Sequence, residues 1–323
     1  MKLSVAKLSI AALAFALPAL PATAQNWPSR PLRIMVGFGA GGGTDVAARI
    51  ISEPLAKLLG TSVVIENKPG AGGTIAGDIV AKGPKDGYSA LMISTGHTVS
   101  AVMIKSQAYD AVKDFAPVGI VGRSAFVVLV QKDFPAKNLQ ELIALAKNEP
   151  GKLNYGTVGV GSTQHLTAEL LRQRAGIQTQ AVSFRTTGEL VTALLRKDVA
   201  YAIDLAHAVR GQVASGDLRI LAVATPQRWP SIPDVPTIAE SGVPGFDVLG
   251  WYGLVYPAGV PAAIVEKTSK ALNQVLSSDD VIKKLENIGA LAAQSSPAEF
   301  GKLIETEITR WRDVTKAAGI EPN

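Results

Sequence analysis

The chain has 323 residues, 47% of them hydrophobic, with 32 basic and 27 acidic residues and no cysteine. Disulfides and thiolate metal sites are thereby excluded, and stability must come from a buried core, which this length can build as two lobes. The basic residues are scattered, with no arginine-rich or aromatic-interleaved tract, which argues against nucleic acid as a partner.

Residues 1–24 read as a secretory signal peptide. Lys2 and Lys7 form a positive start, Leu8 to Leu20 is apolar, and Ala22-Thr23-Ala24 supplies small residues for cleavage near Ala24/Gln25. The apolar stretch is too short for a membrane span. No twin arginine precedes it and no Cys follows, so the expectation is a periplasmic, unanchored, monomeric mature chain. Loss of Lys2 and Lys7 leaves 30 basic against 27 acidic residues, a net of +3, a slight bias that suits small anions.

Short β-branched runs then alternate with helical patterns. Strands are expected at 32–36, 62–66 and 90–94, with helices at 45–59 and 74–82. A second series places strands at 126–131, 153–158, 180–184, 199–204 and 218–224, with helices at 139–147, 163–175, 187–196 and 207–214. A proline-rich connection follows (226–246), then helices at 261–276, 279–287 and 297–318. Such alternation predicts an α/β fold of parallel sheets covered by helices.

Four strand-to-helix junctions are rich in Gly, Ser and Thr: GFGAGGGT (37–44), PGAGGT (69–74), STGHT (94–98) and GTVGVGST (156–163). In a parallel sheet they emerge at the carboxyl ends of the strands, around the crevice where ligands bind. Helix N-termini there offer unpaired N–H groups to a carboxylate or phosphate. Thr44 or Asp45, Thr74 and Ser162 are suited to cap those helices. Gly37, Gly39 and Gly42 also match the dinucleotide fingerprint, with Glu66 near the ribose-binding position. Against that stand the export signal, Asp45 where a pyrophosphate would lie, and further glycine loops that a single dinucleotide site does not use.

The segments WPSRPLRIMVGFGAGGGTDVAAR (27–49), VVIENKPGAGG (63–73), KDFAPVG (113–119), GVGSTQHLTAELL (159–171), LRILAVA (218–224), DVPTIAESG (234–242) and WYGLVYPAGVP (251–261) together resemble the Bug-type extracytoplasmic receptors of tripartite tricarboxylate transporters. The resemblance implies a two-lobed periplasmic binding-protein fold of the doubly crossed kind (type II), each lobe a mostly parallel sheet flanked by helices. Lobe 1 would be 25–123 plus 251–323, and lobe 2 would be 124–250. It also implies a small carboxylate ligand (a di- or tricarboxylate, an acidic amino acid or an aromatic carboxylate), membrane transporter subunits as partners, no cofactor and no catalysis.

By the same resemblance the first ligand loop falls on Phe38, Gly39, Ala40, Gly41, Gly42, Thr44 and Asp45. The loop after the third strand falls on Ser94, Thr95, Gly96 and His97. The second-lobe loop falls on Gly161, Ser162, Thr163 and His165, and Asp204 takes the place of a common cleft aspartate. The chain departs from the family in SFRTTG (183–188), where a PY[KR]G-like turn is usual, and in HTVSAVM (97–103), which lacks the usual NP pair. Arg185, in the first of these, offers a planar fork to a second ligand carboxylate.

The alternative is an exported hydrolase on a similar scaffold, with Ser162, His165 and Asp204 as a triad. No G-x-S-x-G elbow is present to expose a nucleophile. The three histidines, His97, His165 and His207, have no metal-ligand spacing. Trp251 and Tyr252 fall where the chain is expected to cross back between the lobes.

Overall fold

The computed structural model describes residues 27–322, so the proposed signal peptide lies outside the described residues. In chain order the first lobe opens with β1 (Leu32–Val36), α1 (Gly43–Leu59), β2 (Val63–Asn67), α2 (Thr74–Ala81), β3 (Ser89–Ser94) and α3 (Gly96–Met103). The long strand β4 (Phe115–Gln131) leads to α4 (Leu139–Asn148), β5 (Asn154–Val158), α5 (Thr163–Ala175), β6 (Gln180–Phe184), α6 (Thr187–Arg196), β7 (Tyr201–Leu205), α7 (Arg210–Ala214) and β8 (Leu218–Val223). The return is through β9 (Leu249–Pro257), followed by α8 (Ala262–Val275), α9 (Asp279–Asn287), β10 (Ala290–Ala292) and α10 (Pro297–Ala318).

The strands lie in the order β2-β1-β3-β9-β4-β7-β5-β6, with β8 and β10 also paired to β4. Within each lobe the α/β alternation gives the expected parallel pairs, β1 with β2 and β3, and β5 with β6 and β7. The crossing strands are antiparallel: β4 pairs with β9 from Phe115 to Ala125, and with β7 and β8 from Phe126 onward. The chain thus leaves the first lobe along β4 and returns along β9, a pair of crossovers suited to hinge motion.

Helix α1 shows why these residues are helical. Ala47, Ala48, Ile51, Leu55 and Leu59 are buried at helical spacing, and Gly60 ends the helix in the left-handed region. Helix α10 carries a longer stripe that serves both lobes. Phe300, Ile304 and Ile308 pack with Trp251 and Val255, while Trp311 and Val314 join the core around Tyr155, Leu166 and Tyr201. The last turns of the chain therefore rest on elements of the second lobe.

The strand signal at 126–131 is the second half of β4. Its first half carries Pro117, Gly119 and Gly122, which weaken strand patterning, and its pairing with β9 shifts register on both sides of Gly119. The helix expected at 207–214 is a 3₁₀ turn (Ala206–Val209) followed by α7.

Candidate ligand-binding cleft

A cavity of about 600 Å³ opens between the lobes. All four glycine-rich junctions reach it: Phe38, Gly43 and Thr44 from the first, Ala71 and Gly72 from the second, Ser94, Thr95 and Gly96 from the third, and Val160 to Gln164 from the fourth. Trp251 and Tyr252 of β9 form part of the wall, as do Val99, Ser100 and Met103 of α3. Among the described residues, no Asp, Glu, Lys or Arg side chain lines it.

The positive element of this wall is therefore backbone. Helix α1 has Gly42 at its N-cap with no side-chain cap, which leaves the N–H groups of Gly43 and Thr44 without an intrahelical partner. At α3, Thr95 donates its N–H to the Trp251 carbonyl, and Gly96 is the first helical residue. At α5, the Ser162 hydroxyl accepts the His165 N–H, leaving those of Thr163 and Gln164. Three helix N-termini, each with the positive end of a helix dipole, thus meet one cleft.

Close packing shapes the loops. A Cβ on Gly43 would lie 2.4 Å from the Tyr252 hydroxyl, so glycine lets α1 start against that ring without displacing it. Gly161, at φ +73°, would set a Cβ 2.8 Å from Met103 Cε, where the second-lobe loop meets α3.

Several expected site residues stand one layer behind the wall. Asp45 is 1% exposed, and it accepts hydrogen bonds from the Gly41 N–H (2.8 Å), Arg49 Nε (2.9 Å) and Asn67 Nδ2 (2.8 Å). Asn67 Nδ2 also donates to the Phe38 carbonyl at 3.0 Å. The hydrogen bond from Arg49 leads the causes that hold the Asp45 carboxyl down at about 2. Asp45 is thus a brace for the first loop rather than a cap, and Gly39 to Gly42 are exposed and off the cavity wall. Thr74 is also no cap: its hydroxyl donates back to the Ala71 carbonyl.

His97 is buried between Tyr109 and Phe115, with Nε2 2.9 Å from the Ala111 carbonyl it donates to, and burial pushes its pKa down to about 4. His165 accepts the Gly161 N–H on Nδ1 at 3.0 Å, and burial lowers its pKa. Asp204 accepts from Thr187 Oγ1 (2.7 Å), the Leu205 N–H (2.8 Å) and Gln164 Nε2 (3.3 Å). Ser162, His165 and Asp204 form no relay: the serine caps a helix, and the aspartate holds Gln164 and Thr187. Arg185 is exposed at the β6–α6 junction, off the cavity wall.

Of the residues expected at the site, the cavity brings together Phe38, Thr44, Ser94, Thr95, Gly96, Gly161, Ser162 and Thr163. The sequence reading missed Ser124, Phe126, Gln164 and Leu205 on the wall, and Glu307 behind it. Glu307 is 2% exposed; its Oε2 accepts Trp251 Nε1 at 3.0 Å and Thr98 Oγ1 at 3.1 Å. Desolvation raises its carboxyl to about 7. No local signal marks it, because its partners are 56 and 209 positions away. No cluster of three or more potential metal ligands occurs among the described residues.

A family described as the tripartite tricarboxylate transporter family receptor matches residues 47–320. BugT of Bordetella pertussis is 33% identical over 303 residues, covering 93% of this chain and 93% of the relative. The structure of Rpa4515 of R. palustris with adipate is 36% identical with a TM-score of 0.78, over 92% of this chain and 100% of the other. MatC from Rhodopseudomonas palustris with bound malate is 34% identical with a TM-score of 0.73, over 89% and 99%.

Proposed function

The chain belongs to the tripartite tricarboxylate transporter receptor family, and on that premise we propose that it closes on a small carboxylate outside the cytoplasm and hands it to a tripartite tricarboxylate-type membrane transporter. It has the two-lobed binding-protein fold and is a binding protein rather than an enzyme, as its relatives are. The observation that carries the ligand class is the cleft itself: three helix N-termini on a wall without charged side chains. Fixed N–H dipoles in a partly desolvated cleft favour an anion, and no acidic side chain on the wall opposes one.

In this reading the ligand's carboxylate meets Thr44, Ser94, Thr95, Gly96, Ser162 and Thr163, with Phe38 and Gly161 closing over it. Gly39, Ala40, Gly41, Gly42, Asp45, His97, His165 and Asp204 hold those contacts in place. The lobes are 25–123 plus 251–323 and 124–250, hinged on β4 and β9, and the chain is exported through residues 1–24. A ligand touching both lobes favours the closed state, which the transporter would recognise. Micromolar affinity corresponds to about −8 kcal/mol. A few charge-assisted hydrogen bonds at about 1.5–3 kcal/mol each, with burial of the ligand body, reach it.

The test is a thermal-shift screen of the mature protein against small carboxylates and their primary amides. A ligand that binds only the folded state raises the melting temperature. A rise with an acid and none with its amide is expected; equal shifts from acid and amide would remove the carboxylate reading. Arg185→Ala is expected to leave affinity unchanged.

A further inference from the structure

The base of the cleft differs from its rim. There the wall is formed by the crossing strands, where Ser124 pairs with Gly250 and Phe126 with Leu205. The Ser124 hydroxyl lies 2.3 Å from where a Cβ on Gly250 would stand, and Leu205 approaches the same point at 3.3 Å, so these side chains form one patch. His207, just beyond Leu205, joins it from the 3₁₀ turn. Its Cβ, Cγ and Nδ1 press against Gly289 of the other lobe, at 2.2, 2.8 and 3.1 Å from a Cβ placed there, and the residue also lines the cavity.

Two polar groups in this patch lack a partner among the described residues. Ser124 is 2% exposed, lines the cavity, and its hydroxyl makes no hydrogen bond to protein. His207 Nδ1 is buried with no hydrogen-bond partner. With Nδ1 unbonded among the described residues, whatever meets Nε2 decides the His207 tautomer and whether that nitrogen donates or accepts. Burial lowers the His207 pKa, opposed by the nearby Asp204 and assisted by Arg210, so the ring is neutral at neutral pH. Around the pair the wall is apolar: Phe126, Leu205 and Trp251.

We propose that Ser124 and His207 read the far end of the ligand, and that this end is an uncharged hydrogen-bonding group, such as a hydroxyl, a carbonyl or a ring nitrogen, on an apolar body. The inference rests on the carboxylate reading, with the acid group at the helix N-termini. A second carboxylate at the base would meet no Lys or Arg side chain and no α-helix N-terminus among the residues that line it there, and burying an uncompensated charge is far more costly than burying a neutral group with two partners. The Ser124 hydroxyl is satisfied by a ligand that reaches it, and penalises one that leaves it unpaired.

The experiment is calorimetric binding of two matched series to the mature protein: hexanoate, 6-hydroxyhexanoate and adipate, and benzoate, 4-hydroxybenzoate and terephthalate. In the series whose body fits, the hydroxy acid is expected to bind about tenfold more tightly than both the parent acid and the diacid. Ser124→Ala and His207→Phe should each abolish that advantage, bringing the hydroxy acid down to the affinity of the parent acid, with the melting temperature of the unliganded protein unchanged. A diacid that binds best, with an affinity neither substitution moves, overturns the neutral-end assignment and leaves the carboxylate reading standing. No binding by any acid of either series overturns the carboxylate reading itself, and this inference with it.

Discussion

The wall of the cleft and the layer behind it have opposite chemistry. The wall offers backbone N–H groups, hydroxyls and apolar side chains, with no carboxylate or cationic side chain among the described residues. The layer behind holds Asp45, Glu307, Asp204 and His165, each bonded to a backbone or side-chain group that shapes the wall, and His97, bonded to the Ala111 carbonyl. Charge close to an anion site would compete with the ligand or bind it indiscriminately. One residue further back, such groups fix loop geometry instead: Asp45 is paired with Arg49, and burial drives Glu307, His97 and His165 toward their neutral forms. Substitutions behind the wall should therefore change stability, and those on the wall should change binding.

The largest effect is expected at Glu307. Its carboxyl titrates near 7 in the folded protein against a usual 4.5, so between those values the folded chain holds a proton that the unfolded chain has released. Stability must then fall as pH rises through that window, by about 3 kcal/mol from this group. Glu307→Gln retains an acceptor for Trp251 and Thr98 and should flatten the decline, measured by urea unfolding at pH 4.5 and 8. An unchanged slope in the variant would remove Glu307 as its source.

Next is Asp45→Ala, which strips partners from Gly41, Arg49 and Asn67 and is expected to cost about 2 kcal/mol by the same unfolding assay. The wild-type contribution of Asp45 has the opposite pH sense. Its folded pKa of about 2 lies below the usual 3.8, so the stability it supplies is present above 3.8 and lost as pH falls toward 2. His165→Leu removes the acceptor of the Gly161 N–H and should lower stability by about 1 kcal/mol.

The smallest stability change is expected on the wall. Val160 is 67% exposed at the cleft rim, so Val160→Ala should shift unfolding by less than about 0.5 kcal/mol. Its effect should fall on affinity, measured by titration with the carboxylate that the thermal screen identifies. A large loss of stability there would blur the distinction between wall and backing.

What the sequence reveals divides along the same line. The glycine-rich junctions are local, and their composition marks the loops that reach the cavity. The backing layer is not local: Glu307 meets Thr98 across 209 positions, and Asp45 meets Asn67 across 22. The crossing strands are obscured for another reason. Pro117 interrupts the apolar pattern of β4, and Gly119 and Gly122 in β4 and Gly250 and Gly253 in β9 interrupt it where close packing leaves little room for a side chain, as at Gly253, whose Cβ would lie 2.2 Å from Phe300. The base of the cleft is built where those strands cross, and the pairings that bring Ser124 and Phe126 to it are not apparent from sequence alone.

The central claim is that backbone N–H groups at helix N-termini, not cationic side chains, hold the ligand's acid group. It is tested most directly by amide nuclear magnetic resonance during titration with the carboxylate found in the thermal screen. The account predicts that the largest shifts fall on Gly43, Thr44, Gly96, Thr163 and Gln164, and that they are absent when the matching amide is added. Shifts concentrated instead around Arg185, with those five amides unmoved, would contradict it.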